Sequence, residues 1–558
     1  MIEAWSAARV GAAEEPLLAA GVPLMERAAF ALVGIVRRDL ARRRGAVRGA
    51  RVALLVGPGN NGGDALFAGA YLARRGVGVT AYLAADRVHE PGLAALRAAG
   101  GRVVTLGTEP DDDAAGTTTP TCADAAAAVA RCDVVVDGLL GIGATGALRG
   151  TAARLVEALN EALGEVLDDA PVGPLPGRDR VRPWVVAVDA PSGIGVDDGT
   201  LPGPVLPADR TVTFGVAKPG LLLPPAAHVA GALTVVDLGL EPAGPPAVAR
   251  LEDDDVAARW VVPGPRDHKY TRGVVGVVAG TATYPGAAVL AASAAVQAGA
   301  GMVRYQGPDV VGRSVLAARP EVVTAGGRVQ AWVLGPGLPA TGGDDGQRER
   351  ARAALAAASG WPAEAQRVLP AGSESAVPAV VDAGALALLD QPCPGWVVLT
   401  PHAGELATLL AARGEGVERA DVEAEPLRWA RRAHELTGAT VLLKGAATVV
   451  VGPGATVFVQ AEALAWAATA GSGDVLAGLL GAMLAARSVE LVARPDRAAE
   501  VAAAAALVHG RAAHRATPGG PAPALAIAGA LPATIAALLA SPPTGAPVRR
   551  GGATRSRR

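Results

Sequence analysis

The chain has 558 residues, enough for more than one domain. Its 51 Lys and Arg balance 53 Asp and Glu to a net charge of −2, which excludes the strongly basic field of a nucleic-acid binder, so no nucleic-acid partner is expected. Hydrophobic residues reach 51% but aromatics only 3%, so the core must be built from Val, Leu and Ala. The three cysteines, Cys122, Cys132 and Cys393, show no metal or disulfide spacing, as suits a reducing cytoplasm.

The N-terminus lacks a basic region followed by an apolar one, so no export signal is expected. Ala-rich runs such as Val475–Ala486 are too short to span a bilayer and are expected as buried helices, with no membrane partner. In the first half, strands are predicted at Arg51–Val56, Val77–Leu83, Val103–Leu106, Asp133–Asp137, Trp184–Asp189, Thr211–Phe214 and Thr234–Asp237, with helices such as Asp64–Arg75 and Pro91–Ala99 between them. Near-continuous Val/Leu strands alternating with helices predict a parallel sheet covered on both faces. Gly164–Pro183, rich in Pro, Gly and Asp, is expected as a surface insertion.

Pro, Gly and acidic residues cluster around Glu241–Asp255, which places the domain junction there. Domains are expected over 1–240 and 255–545, with a linker at 241–254 and a basic, disordered tail over 546–558. The second half is again α/β. Its strands are predicted at Val274–Ala279, Ala331–Leu334, Ala379–Val381, Trp396–Leu399, Thr440–Leu443 and Thr448–Val451, and its helices at Gly286–Ala298, Ala403–Ala411, Pro426–Thr437 and Asp474–Ala486. The connections Ala340–Ala376 and Arg413–Glu425 are expected as loops or irregular helices.

Three glycine-bearing motifs end predicted strands of the first half: Gly57-Pro58-Gly59-Asn60-Asn61-Gly62-Gly63-Asp64, Asp137 through Ala147, and Asp189-Ala190-Pro191-Ser192-Gly193. Glycine after a parallel strand lets the backbone approach a phosphate, and ligands of open α/β sheets bind at this carboxyl edge. Asn61, Asp137 and Ser192 each offer an oxygen, the ligand hard cations need, and Asp189 could serve as a general base. The plainer reading makes each motif a tight strand–helix turn and each Asp a helix cap; three together favour a site.

With Pro23-Leu24-Met25-Glu26-Arg27-Ala28-Ala29 upstream, these motifs resemble the NAD(P)H-hydrate epimerase family over nearly all of Met1–Leu240. The resemblance implies a Rossmann-like domain that interconverts the R and S forms of hydrated NADH and NADPH (NADHX and NADPHX). It implies that Asn60, Asn61, Gly62, Gly63 and Asp64, and Gly141, Ile142, Gly143, Ala144, Thr145, Gly146 and Ala147, contact the hydrated dinucleotide. It further implies a potassium ion on Asn61, Asp137 and Ser192, and Asp189 at the hydrated ring as the candidate for moving the proton. Ala65 stands where the family usually has Gly, a change that a helix start tolerates.

The second half carries His268-Lys269-Tyr270-Thr271-Arg272-Gly273, Gly280 through Ala288, Gly335-Pro336-Gly337-Leu338, Val381-Asp382-Ala383, Leu399 through Glu405, Leu442 through Thr448, and Thr469-Ala470-Gly471-Ser472-Gly473-Asp474 before an apolar helix. His268 has two readings, site or surface loop, and His402 after Pro401 could simply cap the next helix. Lys444 is harder to set aside, because a parallel-sheet interior rarely holds an unpaired cation; the end of a strand, near phosphates, suits it. The Gly471–Asp474 turn is either an ordinary N-cap or an anion nest with a base beside it.

This order resembles the ADP/ATP-dependent NAD(P)H-hydrate dehydratase family, a branch of the ribokinase-like fold, over about Asp255–Leu539. The chain as a whole thus resembles bifunctional NAD(P)H-hydrate repair enzymes, the dehydratase half taking the S-hydrate and ADP (or ATP) with Mg²⁺ and giving NAD(P)H, AMP (or ADP) and phosphate. By resemblance Ala287, Gly337, His402 and Asp474 contact the S-hydrate, while Lys444, Gly445, Ala446, Ala447, Thr448 and Gly473 contact the adenine nucleotide. Bacterial two-domain members typically use ADP, and a homo-oligomer is expected. Ala463–Ala468 departs from the family, which usually carries Gly and Pro or Asn there. The rivals are a ribokinase-like kinase of a vitamin alcohol and a first half that serves only as a binding scaffold; retention of Asp64, Asp137 and Asp189 weighs against the scaffold. A nicotinamide dehydrogenase lacks support, because neither Gly-rich loop carries the dinucleotide fingerprint.

Overall fold

The computed structural model describes residues 1–107, 120–144, 146–164, 182–339, 341–361 and 376–540. The surface insertion expected at Gly164–Pro183 and the basic tail lie almost wholly outside them. The chain packs as two compact units: Ile2–Arg250 with Pro401–Val459, and Met1 with Leu251–Thr400 and the chain from Gln460 onward.

The strands of Ile2–Arg250 are β1 (Ile2–Ala4), β2 (Arg51–Val56), β3 (Gly78–Leu83), β4 (Arg102–Thr105), β5 (Val134–Gly138), β6 (Trp184–Val188), β7 (Arg210–Phe214), β8 (Ala232–Val236) and β9 (Val248–Arg250). Seven of them form a parallel sheet in the order β4-β3-β2-β5-β6-β7-β8. Alternation along β2 explains why both faces are covered. Val52, Leu54 and Val56 pack with Leu32, Val36, Leu66 and Leu96 on one side, while Ala53 and Leu55 pack with Val129, Leu155 and Leu159 on the other. From β2 the chain winds outward to β4, then returns to β5 on the opposite side, and this reversal is the topological switch point of a Rossmann-like sheet. The expected strands agree with the observed ones to within a residue or two at most ends.

In the second unit the strands are β10 (Val274–Val278), β11 (Met302–Tyr305), β12 (Ala331–Leu334), β13 (Ala379–Val381) and β14 (Val397–Leu399). They lie parallel in the order β14-β13-β12-β10-β11. Helices Pro285–Gln297 and Ser472–Ala485 cross tightly: a Cβ on Gly478 would meet the Ala291 carbonyl oxygen at 2.1 Å. Small residues therefore do the packing work that aromatics do elsewhere. The expected buried helix near Val475–Ala486 is indeed buried along most of its length.

The first unit is completed by β15 (Thr440–Leu443), β16 (Thr448–Val451) and β17 (Val457–Gln460). β15 and β16 are an antiparallel hairpin, and β17 pairs in parallel with β9, which itself pairs antiparallel with β1. Four strands escaped the sequence reading, β1, β9, β11 and β17; each is short and carries a charged or amide residue (Glu3, Arg250, Arg304 and Gln460) that breaks the apolar run by which the equally short β12–β16 were found. The junction region holds β9 and a helix, Asp253–Arg259, capped reciprocally by Glu252 and Asp255. The connections at Ala340–Ala376 and Arg413–Glu425 contain the regular helices Gln347–Ser359 and Arg419–Ala424. Helices Ala7–Ala19 and Leu24–Arg44 precede β2; the longer ends at Gly45 (φ 78°) with Arg42, Arg43 and Arg44 in its last turn, where cations suit the dipole. Among the described residues no single helix is long and apolar enough to cross a membrane.

Candidate active site

The three glycine-bearing motifs of the first half meet at the switch point. The loop after β2 presses against the loop after β5, since a Cβ on Gly57 would fall 1.7 Å from the Leu139 carbonyl oxygen. This places Asn61, in the first turn of helix Asn60–Ala73, over the ends of β5 and β6. Its Nδ2 donates to the carbonyls of Leu140 (3.1 Å) and Val188 (2.6 Å). Asp137 ends β5 fully buried and accepts from Leu139 N, Ser192 N (2.9 Å) and Ser192 Oγ (2.7 Å). Burial raises its pKa, with the Ser192 and Leu139 hydrogen bonds pulling the other way. The Ser192 hydroxyl also accepts from Leu140 N at 2.9 Å.

Asn61 and Ser192 thus meet on the backbone of Leu140, and Asp137 joins them through Ser192 and Leu139 N. Their donor set is a carboxylate, a hydroxyl and an amide whose oxygen faces Gly141, where a Cβ would sit 2.5 Å from Asn61 Oδ1. Oxygen donors of this kind fit potassium. Gly141, Ala144 and Gly146 line a cleft with Ala190, Pro191 and Gly193. Asn60 and Gly143 lie exposed, Gly62 and Gly63 are buried, Ile142 packs on the core, and Ala147 lies against Gly203. Thr145 lies outside the described residues.

Asp189 follows β6 at φ 65°, a conformation that costs a non-glycine residue about 1–3 kcal/mol and persists only where surroundings enforce it. They do so through one oxygen. Oδ1 accepts from Lys218 Nζ (2.5 Å), Thr213 Oγ1 (2.9 Å) and Phe214 N (3.1 Å). Lys218 is 1% exposed, and its ammonium also donates to Thr213 Oγ1 and the Phe214 carbonyl. Sequence reasoning missed Lys218, although it stands alone among Val216, Ala217 and Pro219, the same signal that singled out Lys444. Two further carboxyls face this centre. Asp64 is buried, and burial, reinforced by Asp189 and Glu14, holds its pKa well above the ordinary carboxylate range. Glu14, half-buried on helix Ala7–Ala19, is raised by burial, lowered by Lys218 and raised by Asp189. Glu14 also escaped the sequence reading; an acidic residue near a chain terminus carries no signal of its own.

The residues singled out in the second half fall into two sets. In the unit containing β10–β14, Gly471 (φ 87°) opens helix Ser472–Ala485, with Gly473 and the half-buried Asp474 in its first turn. Ser472 Oγ lies 3.3 Å from His509 Nε2 beneath that turn. Ala287, in the first turn of helix Pro285–Gln297, touches the Gly337 loop after β12, because a Cβ on Gly337 would lie 2.5 Å from that of Ala287. In the other unit Lys444 follows β15 and forms an isolated parallel bridge with His402. His402 caps helix Ala403–Ala411: its Nδ1 accepts from Glu405 N, and its N–H donates to Glu405 Oε2. The Glu405 carboxylate lies 3.6 Å from His402 Nε2 and 3.8 Å from Lys444 Nζ. Gly445 and Ala446 are exposed at the hairpin tip, Ala447 is buried and Thr448 starts β16. His268 holds an exposed turn, its Nδ1 accepting from the N–H groups of Tyr270 and Thr271.

Two family models match the chain. One described as YjeF-related protein N-terminus covers residues 21–220, and one described as NAD(P)H-hydrate dehydratase covers residues 275–522. The halves are accordingly Rossmann-like and ribokinase-like. Over 498 residues the chain is 42% identical to the bifunctional NAD(P)H-hydrate repair enzyme Nnr of Mycobacterium tuberculosis, covering 86% of this chain and 89% of the relative. The Mycobacterium leprae enzyme of the same name is 41% identical over 526 residues, covering 91% and 93%. An NAD(P)H-hydrate epimerase of Clavibacter sepedonicus is 44% identical over 251 residues, 44% of this chain and 95% of its own. Identity at this level runs through both halves, and the chain belongs to the family of bifunctional NAD(P)H-hydrate repair enzymes.

Proposed function

We propose that the first half interconverts the R and S hydrates of NADH and NADPH, and that the second half dehydrates the S form with ADP, or ATP, giving NAD(P)H, AMP or ADP, and phosphate. For the first half the supporting observation is the strained Asp189, its carboxylate fixed by Lys218 at the edge where Rossmann-like sheets bind nucleotides. Asn61, Asp137 and Ser192 would hold potassium, which when bound supplies fixed positive charge beside the dinucleotide. Asp189 takes and returns the proton of the hydrated ring.

For the second half, support comes from Asp474 in the first turn of a helix opened by a left-handed glycine. Amide N–H groups and the helix dipole there favour a transferring phosphoryl group. Asp474 removes the proton from the ring hydroxyl as that group arrives, which turns a poor leaving group into phosphate. Ala287 and Gly337 shape the hydrate site in the unit that holds Asp474. Lys444, Gly445, Ala446, Ala447 and Thr448 contact the nucleotide, which arrives as its Mg²⁺ complex.

The test is to give the full chain mixed hydrate epimers, K⁺, Mg²⁺ and either ADP or ATP, and to follow the reduced-nicotinamide absorbance to completion. Full recovery is expected, faster with ADP. Recovery that stops at the S fraction would remove the epimerase reading. Accumulation of a stable phosphorylated product would replace the dehydratase with a kinase.

A further inference from the structure

We infer that Asp64 is the second proton carrier of the epimerase centre, protonating the ring nitrogen of the hydrated nicotinamide while Asp189 serves its hydroxyl. The inference rests on the epimerase reading and extends it to a residue so far placed only as a dinucleotide contact.

The two carboxyls sit in opposite environments. Asp189 has one oxygen saturated by an ammonium, a hydroxyl and an amide N–H. Asp64 is 6% exposed, and among the described residues its Oδ1 has no hydrogen-bond partner although it is buried. Lys218, the buried cation of the centre, spends its donors on Asp189, Thr213 and Phe214. A buried carboxyl without a cation or a full set of donors keeps its proton, and the neighbouring Asp189 and Glu14 reinforce that state. A carboxylate oxygen wrapped in three donors beside a buried carboxyl oxygen with no partner among the described residues is an arrangement that sets a base against an acid in one site.

Substrate chemistry calls for such a pair. Hydration of an enamine puts the hydroxyl on the carbon next to nitrogen, and inverting that carbon means breaking one of its bonds and remaking it. Asp189 accepts the hydroxyl proton. The oxygen then forms a carbonyl as the carbon–nitrogen bond breaks, its electron pair goes to the ring nitrogen, and Asp64 delivers a proton there. The open-chain aldehyde turns over, and the same steps in reverse close the ring on its other face. Each carboxyl recovers its starting state, and nothing is oxidised or consumed.

The experiment compares full-length wild type with Asp64→Asn, using the R hydrate, ADP, Mg²⁺ and K⁺ under conditions in which epimer exchange limits recovery. A proton-transfer role predicts a kcat for exchange about 100-fold lower or more, with KM within about threefold and dehydration of the S hydrate unchanged. An exchange kcat within about threefold of wild type overturns the inference, and so does a loss confined to KM. If Asp64→Asn does not fold, Asp64→Glu, which keeps the acid, is compared with Asp64→Gln; exchange at least about tenfold faster for Glu supports the role, and equal rates overturn it. Wild-type protein that exchanges epimers no faster than buffer would instead sink the epimerase reading itself.

Discussion

Lys218 Nζ lies 2.5 Å from Asp189 Oδ1, and both side chains are almost fully removed from solvent. The lysine descends from the loop after β7, the aspartate from the end of β6, and Thr213 on β7 bridges them. A cation buried this deeply is tolerated because three acceptors surround it. The same contacts fix the Asp189 carboxylate at the end of β6.

Removing that partner should be costly. Lys218→Met keeps the length of the side chain but leaves Asp189 buried without its cation, and the loss of one partner of a buried pair costs about 3–5 kcal/mol. Denaturant unfolding should show an earlier first transition, and epimer exchange should fall with it. Unchanged stability together with unchanged exchange would refute the structural role given to Lys218.

The two candidate bases should separate cleanly. Asp474→Asn is expected to abolish dehydration of the S hydrate while leaving epimer exchange intact, and Asp189→Asn to do the opposite. Each variant is assayed for both activities, chirally resolved hydrates reporting exchange and absorbance recovery reporting dehydration. Dehydration that survives Asp474→Asn would move the base elsewhere in the second half.

Cation dependence should be confined to the first half. Replacing K⁺ by Li⁺ should slow epimer exchange and leave S-hydrate dehydration unaffected. Ser192→Ala should weaken the K⁺ response and also cost about 1–3 kcal/mol, because Leu140 N–H and Asp137 each lose a buried partner. Equal rates in K⁺ and Li⁺ would argue that Asn61, Asp137 and Ser192 form a hydrogen-bonded brace and nothing more.

Asp64 should make stability depend on pH with an unusual sign. Its folded-state pKa is raised, so the native state binds more protons than the unfolded chain above about pH 4, and stability falls as pH rises through that range. Asp64→Asn removes the penalty. The variant should therefore melt at a higher temperature than wild type at pH 7 to 8, the advantage shrinking to nothing below about pH 4. A variant that is less stable at neutral pH would show that the carboxyl is anchored by contacts that compensate its burial. The expected trade of stability for chemistry is common at active sites.

Much of the site was legible along the chain because the glycine loops are local. Gly57, Gly62 and Gly141 are needed wherever backbone passes within van der Waals reach of another loop, so their clustering at strand ends announced the edge that gathers Asn61, Asp137 and Ser192. His402 was readable as a helix cap from its place after Pro401, and the structure shows it capping its helix. Lys218 and Glu14 were not legible. Lys218 is 29 residues from Asp189 and has no motif around it, while Glu14 sits in a helix whose pattern resembles any amphipathic surface element.

What the sequence determined by itself was the alternation of buried parallel strands with helices and the glycine turns that close them, since strand burial on two faces demands unbroken Val and Leu and tight turns demand glycine. What only the tertiary structure decided was which charges lose their water together. Pairing Lys218 with Asp189 and leaving Asp64 Oδ1 without a hydrogen-bond partner among the described residues both depend on β6, β7 and helix Asn60–Ala73 converging at one edge. Desolvation and long-range pairing are properties of that convergence, and no run of neighbouring residues encodes them.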